Sequence, residues 1–265
     1  MTGRAHAKLN LALIVGPRRA DGMHEVLTVL QRLDLADTVT VEPAAATTVE
    51  GFAGDTLVRA ALGALDAPHG WRAVIDKRIP VAAGLGGGSS DAATAVRLAN
   101  AQLERPLDER GLHELAASVG ADVPFFLCSG PQIGSGVGVT LEPVELPQGF
   151  TVCLLLPDGA VKASTRAVYE AFDARGGRGD FAVREEQLRG ALGRVRVARD
   201  LAGLPPNDLA GSPHAAALLA EGAFRADVSG AGPVVYGLFE DRAAAERAGA
   251  SLSGLGRTWV AEPAW

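Results

Sequence analysis

The residues best suited to chemistry lie in one glycine-rich segment, residues 80–91, which reads Pro-Val-Ala-Ala-Gly-Leu-Gly-Gly-Gly-Ser-Ser-Asp. Its four glycines leave backbone N–H groups accessible, because no Cβ atom screens them. A helical pattern follows at 92–103, and the free N–H groups and dipole of a helix N-terminus attract anions. Ser89 and Ser90 add hydroxyl donors. The segment therefore predicts a phosphate-binding loop rather than a glycine-rich linker.

The order of residues excludes two common phosphate-binding motifs. The P-loop ends in Gly-Lys-Ser/Thr, and no lysine lies between Lys77 and Lys162. A dinucleotide fingerprint starting at Gly84 needs its third glycine at position 89, where this chain has serine. The loop must therefore belong to another class of phosphate site.

Hydrophobic periodicity predicts the elements that position this loop. Apolar residues alternate with polar ones at 5–15, so that His6, Lys8 and Asn10 share the polar face of a half-buried strand. A turn at 18–24 has Asp-Gly at its centre. Further strands are expected at 25–42, 71–79, 151–156, 224–228, 233–239 and 257–261, a hairpin at 134–144, and helices at 57–65, 91–103, 108–119, 120–126, 164–174, 183–195, 212–221 and 241–252.

Composition limits the partners of the chain. The net charge of −6 comes without a basic block, so a nucleic-acid groove is not expected. The apolar run at 9–15 is interrupted by Asn10 and is too short for a membrane span, and it lacks a signal-peptide cleavage site. Two distant cysteines form neither a metal motif nor a disulfide framework. A soluble cytoplasmic protein is therefore expected, and its oligomeric state is left open.

Four separated segments together resemble the GHMP kinases, which phosphorylate small alcohols with ATP. The segments are 7–11 with 19–25, the glycine loop, 120–125, and 229–232 with 207–209. The Asp-Gly-Met-His turn and the triple glycine resemble the branch that acts on a cytidyl diphosphate sugar-alcohol in isoprenoid precursor synthesis. The resemblance implies an α+β, two-domain GHMP kinase fold, with a ribosomal-protein-S5-like N-terminal domain and a ferredoxin-like C-terminal domain. A change in composition near residue 150 predicts the division into 1–149 and 150–265.

The resemblance also implies how ATP is bound. The family's loop places the phosphates on the following helix, which assigns ATP binding to Pro80, Val81, Ala82, Ala83, Gly84, Leu85, Gly86, Gly87, Gly88, Ser89 and Ser90. Kinases use Mg²⁺ to bridge phosphate oxygens. The sequence shows no cluster of His, Asp and Glu for a metal cage, so ATP is expected to carry the metal and no metal-ligating residue is predicted.

Two residues match the catalytic residues of the family. Asp122 would accept the hydroxyl proton of the acceptor, although its local sequence alone, with Pro124 two positions later, is more typical of a helix N-cap. Lys8 would orient that carboxylate and offset charge on the phosphoryl group, although a lone strand lysine is commonly a solvated one. Only three of the 25 basic residues are lysines, which favours a specific role for Lys8.

The acceptor is expected to contact a second set of residues. The resemblance places the cytosine end of the acceptor at the turn before residue 25, and its diphosphate at residues 229–232, here called the late glycine motif. A turn histidine and a helix-face tyrosine are also common without any ligand. The set is Asn10, Met23, His24, Tyr169, Gly230 and Gly232.

Three positions depart from the family pattern. Met23 stands where the family usually has tyrosine, and a thioether lacks an aromatic plane. Thr56 replaces an asparagine that can pair with adenine, and Ala231 replaces a serine or threonine. Two alternatives therefore stay open: a GHMP kinase for another small alcohol such as homoserine or a mevalonate derivative, and a nucleotide-binding paralogue without catalysis.

Overall fold

The computed structural model describes residues 1–160, 164–177 and 179–265, so that Lys162 lies outside the described part of the chain. Strands and helices are mixed throughout, as the α+β prediction requires. Two long strands, β1 (Thr2–Arg18) and β2 (His24–Ala44), pair with each other around the predicted Asp-Gly turn. In the described residues, none of the helices combines the length and the apolar character that crossing a bilayer demands.

The chain forms two compact units. The first unit consists of Met1–Lys8, Leu35–Val81 and Gly86–Ser129, and the second of Leu9–Asp34, Ala82–Leu85 and Gly130–Trp265. These units do not follow a single cut in the sequence, because β1 and β2 each run through both. The division into 1–149 and 150–265 stays a prediction.

In the first unit, helices lie beside a small part of a sheet. Strand β4 (Gly70–Asp76) is antiparallel to the C-terminal part of β2, with Thr38 opposite Asp76, and β3 (Thr48–Glu50) is parallel to β4. The helices are α1 (Leu57–Gly63), α2 (Gly87–Asn100) and α3 (Glu109–Val119), followed by a 3₁₀ turn at Pro124–Leu127. The carboxylate of Asp108 accepts a hydrogen bond from the Gly111 N–H and caps α3, as its position in the sequence predicts.

Helix α2 begins four residues earlier than predicted, at Gly87 rather than at Asp91. Gly86 has a φ of 70°, in the left-handed region that glycine adopts at little cost, and this residue turns the chain into the helix. The apolar stripe of α2 is fully buried and made largely of alanines, which allows close packing against α1. The predicted loop residues Gly87, Gly88, Ser89 and Ser90 thus form the first turn of the helix.

The second unit contains a hairpin and a separate four-stranded antiparallel sheet. The hairpin consists of β5 (Gln132–Ser135) and β6 (Thr140–Pro143), and β5 pairs with the N-terminal part of β2. The sheet has the order β10-β7-β9-β8, from β7 (Thr151–Pro157), β8 (Arg225–Val228), β9 (Val235–Phe239) and β10 (Gly256–Ala261). All four of these strands lie within two residues of their predicted bounds.

Among its described residues, the second unit contains the helices α4 (Thr165–Ala174), α5 (Phe181–Leu192), α6 (His214–Ala220) and α7 (Arg242–Ser251). Helices α6 and α7 pack on the sheet over a core that includes Leu218, Phe239 and Ala248. Two 3₁₀ segments, Ala198–Gly203 and Leu252–Leu255, were not predicted.

Candidate active site

Lys8 and Asp122, distant in sequence, are neighbours in the first unit. The Nζ of Lys8 lies 3.8 Å from Oδ2 of Asp122, and the two side chains are 5% and 46% exposed, respectively. Lys8 projects from β1, and Asp122 lies in the turn that leads into the 3₁₀ segment Pro124–Leu127. An ammonium shielded from water therefore faces a carboxylate that is partly open to solvent.

Strand β1 is not the half-buried strand that its alternating pattern predicts. Lys8 and Asn10, on the polar face, are buried, as are the apolar residues Leu9 and Leu11 on the other face. Packing around the Lys8 stem is tight: a Cβ atom on Gly86 would lie 2.9 Å from Lys8 Cγ and 2.9 Å from the Phe126 ring. The glycine before α2 is thus required both by its φ and by the lysine stem beside it.

The middle of the glycine loop is bound to the late glycine motif within the second unit. The Ser229 hydroxyl donates to the carbonyl oxygen of Gly84 at 3.0 Å, and the Val234 N–H donates to that of Ala83 at 3.1 Å. Gly84 has a φ of 86°, and a Cβ atom there would lie 2.2 Å from the Ser229 carbonyl oxygen. Both motifs were identified in the sequence, but their contact was not.

The late motif itself is a tight turn. Gly230 and Gly232 both have positive φ, and the Gly232 N–H donates to Ser229 O at 2.9 Å. Asn207 Nδ2 donates to the carbonyl oxygens of Val228 and Gly230. A cavity of about 350 Å³ opens beside the turn, with Asp158, Ser212, His214, Ala231 and Gly232 among its lining residues. The Gly232 amide, a predicted diphosphate contact, is therefore already used inside the turn.

A buried ion triad, which no sequence pattern predicted, connects the residues just before the loop to the helix just after it in the first unit. Lys77 Nζ lies 2.5 Å from Asp37 Oδ2 and 2.7 Å from Asp91 Oδ2. Asp37 Oδ1 also accepts hydrogen bonds from the backbone N–H groups of Arg78 and Ile79, just before the loop, whereas Asp91 lies in α2 just after it. The scarcity of lysine was the one sequence signal that marked Lys77.

The triad combines two buried carboxylates with one ammonium. Burial raises the pKa of Asp91 to about 7, against the opposing effect of Lys77. Burial alone would lower the pKa of Lys77, but the hydrogen bonds and charges of the two carboxylates outweigh it, so this pKa is raised. The Oδ1 atom of Asp91 is buried without a hydrogen-bond partner among the described residues. The triad is therefore a charged cluster that water does not stabilise.

Two predicted acceptor residues, His24 and Tyr169, meet in the second unit. Their rings are stacked, with centroids 4.9 Å apart and planes 25° apart. His24 is 8% exposed, and its Nε2 lies 2.8 Å from Oδ1 of Asp173, a residue that the sequence analysis did not select. Met23 is 52% exposed at the turn.

Asn10, the other polar residue predicted to contact the acceptor, makes internal hydrogen bonds. Its Nδ2 donates to Thr28 Oγ1 at 2.8 Å, and its backbone carbonyl oxygen accepts from the Tyr236 hydroxyl at 3.2 Å. The Thr28 hydroxyl in turn donates to Ala12 O. These bonds fix Asn10 within β1.

Carboxylate and imidazole groups do not converge on a metal cage in the part of the chain that the structure describes: no group of three or more His, Cys, Asp or Glu side chains there could hold a metal ion.

Two family models match the chain. The GHMP kinases N terminal domain matches residues 52–130, and the GHMP kinases C terminal model matches residues 215–257. The first match covers α1, α2 and the glycine loop, and the second covers most of α6, β8, β9 and α7. The two models are the N-terminal and C-terminal parts of the GHMP kinase fold that the sequence resemblance implies.

Curated relatives match over nearly the whole chain. The 4-diphosphocytidyl-2-C-methyl-D-erythritol kinase of Caldanaerobacter subterraneus subsp. tengcongensis is 33% identical over 95% of this chain and 92% of its own length. The protein of the same name from Anaeromyxobacter dehalogenans is 38% identical over 94% of this chain and 84% of its own length.

Solved structures give the same result. A crystal structure of 4-(cytidine 5'-diphospho)-2C-methyl-D-erythritol kinase matches with a TM-score of 0.80 and 34% identity, covering all of both chains. The mevalonate kinase of Methanococcus jannaschii matches with a TM-score of 0.73 at 11% identity, over 100% of this chain and 98% of that one. The second match shows the shared fold.

Proposed function

Because the chain belongs to the GHMP kinases, and within them to the 4-diphosphocytidyl-2-C-methyl-D-erythritol kinase family, we propose that it transfers the γ-phosphoryl group of ATP to the 2-hydroxyl of 4-diphosphocytidyl-2-C-methyl-D-erythritol. The reaction is a step of non-mevalonate isoprenoid precursor synthesis. The observation that carries the proposal beyond family membership is the pair of Lys8 and Asp122, whose charged atoms lie 3.8 Å apart.

ATP binds at the glycine loop and the first turn of α2, at residues 80–90. The helix begins without a side-chain cap and without an acidic residue in its first turn, so its N-terminal N–H groups and dipole suit a phosphate. Mg²⁺ brought in with the nucleotide would supply positive charge to the phosphates held by these residues. The chain contributes the loop, and the nucleotide contributes the metal ligands.

Asp122 acts as the base. It takes the proton from the acceptor hydroxyl as the oxygen bonds to the γ-phosphorus and the bond to ADP breaks. Lys8 orients the Asp122 carboxylate and stabilises negative charge on the transferred group. Because the Lys8 side chain is almost fully buried, water screens its charge little at the point where charge develops.

In the proposed site the acceptor lies against Met23, His24, Tyr169, Gly230 and Gly232, and Asn10 acts through the position of β1. The His24 ring and the Tyr169 ring form a rigid surface for the pyrimidine. The turn at Gly230 supports the diphosphate, and the internal bonds of Asn10 give it a positioning part in β1.

Replacing Asp122 with asparagine tests the catalytic assignment. We expect kcat with the cytidyl acceptor to fall about 10²- to 10⁴-fold, the usual contribution of a general base, with ATP affinity unchanged by calorimetry. Asp76→Asn, which alters an exposed aspartate of β4, is the matched control and should retain full activity. Homoserine and mevalonate serve as acceptor controls for the specificity. Wild-type turnover in the Asp122 variant would remove this residue from the mechanism.

A further inference from the structure

The segment around Asp208 connects strand β1 to the end of helix α4. The Asp208 N–H donates to Leu13 O at 2.9 Å, and its Oδ2 accepts from the Val15 N–H at 2.8 Å. Arg175, the residue that follows α4, donates through Nη2 to the carbonyl oxygens of Asp208 and Leu209. This segment belongs to the motifs that resemble the GHMP kinases, yet it contains none of the residues assigned above to ATP or to the acceptor.

Arg184, in the first turn of α5, completes a clamp around the backbone of Val15. Its Nη2 binds Asp208 Oδ2, the same oxygen that accepts from the Val15 N–H, and its Nη1 donates to the Val15 carbonyl oxygen at 3.3 Å. The two side chains thus hold both the N–H and the C=O of one strand residue. They are 18% and 1% exposed, respectively, so water competes little for bonds that their charges already strengthen.

The clamped residue lies in the core that supports the proposed acceptor site. The Val15 side chain is fully buried in an apolar cluster with Leu209 and with Phe172 of α4, and Tyr169 packs against this cluster. The Phe172 ring also meets the His24 ring edge-on, with centroids 6.2 Å apart. Because packed side chains transmit displacement, a shift of Val15 would pass through Phe172 to the two rings assigned to the acceptor.

We propose that Arg184 is a positioning residue for the acceptor: by holding Val15 together with Asp208, it keeps β1 and α4 at the spacing that the acceptor-binding side chains require. The inference rests on the proposed function, since it takes the acceptor site to lie on the residues assigned there. It concerns the affinity for the whole acceptor and not the choice between bases. Because the clamp acts through the shape of the site, its effect falls on acceptor binding and not on the chemical step.

The test measures acceptor binding in Arg184→Lys and Arg184→Gln. Lysine keeps a positive charge beside Asp208, but its single ammonium cannot reproduce the two-donor fork that joins the carboxylate to the Val15 carbonyl oxygen. We expect the Kd of the cytidyl acceptor, measured by calorimetry, to rise severalfold in Arg184→Lys. In Arg184→Gln it should rise at least about tenfold, the value of one hydrogen bond to a charged group. The KM for the acceptor should follow the Kd, whereas kcat at saturating acceptor and the KM for ATP should change little.

Two comparisons separate positioning from folding. Arg189→Gln alters another arginine of α5, which pairs with Glu185 and Glu142 at the surface, and it should leave the Kd of the acceptor unchanged. Arg184→Gln leaves a buried carboxylate without its counterion and should lower the melting temperature, whereas Arg184→Lys keeps the charge and should melt close to the wild type. If the glutamine variant does not fold, the lysine variant decides alone.

Each result decides the inference. A wild-type Kd for the acceptor in folded Arg184→Lys would overturn it and leave the kinase assignment intact. Equal losses of affinity for ATP and for the acceptor would also overturn it, because they would show a general loss of structure. If the wild type binds ATP but does not phosphorylate the cytidyl nucleotide, the proposed function fails, and the inference fails with it.

Discussion

Replacing Lys77 with methionine should destabilise the protein strongly. The change removes the ammonium that lies within 2.7 Å of Asp37 and Asp91, whose side chains are both fully buried. Removing one partner of a buried ion pair costs about 3–5 kcal/mol, because it leaves charge without water and without a counterion. Methionine has a similar length and replaces the stem contacts of the lysine, so the lost charge dominates the effect.

That cost corresponds to a large change in measurable stability. At 1.36 kcal/mol per factor of ten, the unfolding equilibrium constant rises roughly 150- to 5,000-fold. For a chain of this size, the melting temperature should fall by roughly 6–20 °C. Thermal unfolding followed by circular dichroism measures the shift. Arg78→Met, at the exposed neighbouring position, is the control and should shift the melting temperature little, as surface ion pairs contribute little.

The loss should also depend on pH. Burial already raises the pKa of Asp91 to about 7, and the loss of Lys77 removes an interaction that lowers this pKa, so it rises further. At pH 6 the carboxyl group of the variant is protonated and the uncompensated charge is reduced, whereas at pH 8 more of it remains. The destabilisation should therefore be larger at pH 8 than at pH 6. A loss no larger than that of Arg78→Met, or one equal at the two pH values, would refute the reasoning.

Two more predictions concern the glycine loop and the ion triad beside it. Asp91→Asn keeps the pair of Lys77 with Asp37 but removes a carboxyl whose folded pKa of about 7 exceeds its unfolded value of 3.8. Ionisation of this carboxyl lowers its own contribution to stability as pH rises from about 4 to 7, so the variant should gain stability relative to the wild type over that interval in urea unfolding. A slope equal to that of the wild type would contradict this. Gly84→Ala brings a Cβ within 2.2 Å of Ser229 O at positive φ, and should raise the KM for ATP at least about tenfold and lower stability by more than the roughly 1 kcal/mol of a left-handed alanine. Gly130→Ala, also at positive φ but with open space around its Cβ, measures the cost of the left-handed backbone alone. Equal losses of stability in the two variants would show that the contact with Ser229 O contributes nothing.

Local sequence rules predicted most of the elements because the relevant forces are local. Asp108 and Asp241 mark helix starts, and both carboxylates accept from backbone N–H groups in the first turn. The predicted start of α2, at Asp91, was wrong because Gly-Gly-Ser-Ser has low helix propensity. Burial of the alanine stripe further along the helix outweighs that propensity, and the left-handed Gly86 supplies the turn into the first residue.

The sequence indicated candidate site residues but not their long-range partners. Alternation in β1 shows which residues share a face, but it cannot show that the face carrying Lys8 is covered. Asp37, Lys77 and Asp91 are brought together by separate elements, and their ion pairs have no periodic signature. Asp173 has an ordinary position in an amphipathic helix, so its bond to His24 follows only from the tertiary fold.

The substitution at position 23 separates two parts of pyrimidine recognition. Stacking of an aromatic side chain on a base contributes about 1–3 kcal/mol and tolerates any base, because every base has a π-face. Met23 cannot supply that plane, and Tyr169 lies against His24 within the second unit. In the proposed acceptor site, the absence of a tyrosine at 23 therefore weakens a stacking contact that would favour cytosine and uracil equally. We therefore expect the departure from the family pattern to affect affinity for the acceptor more than the choice of base.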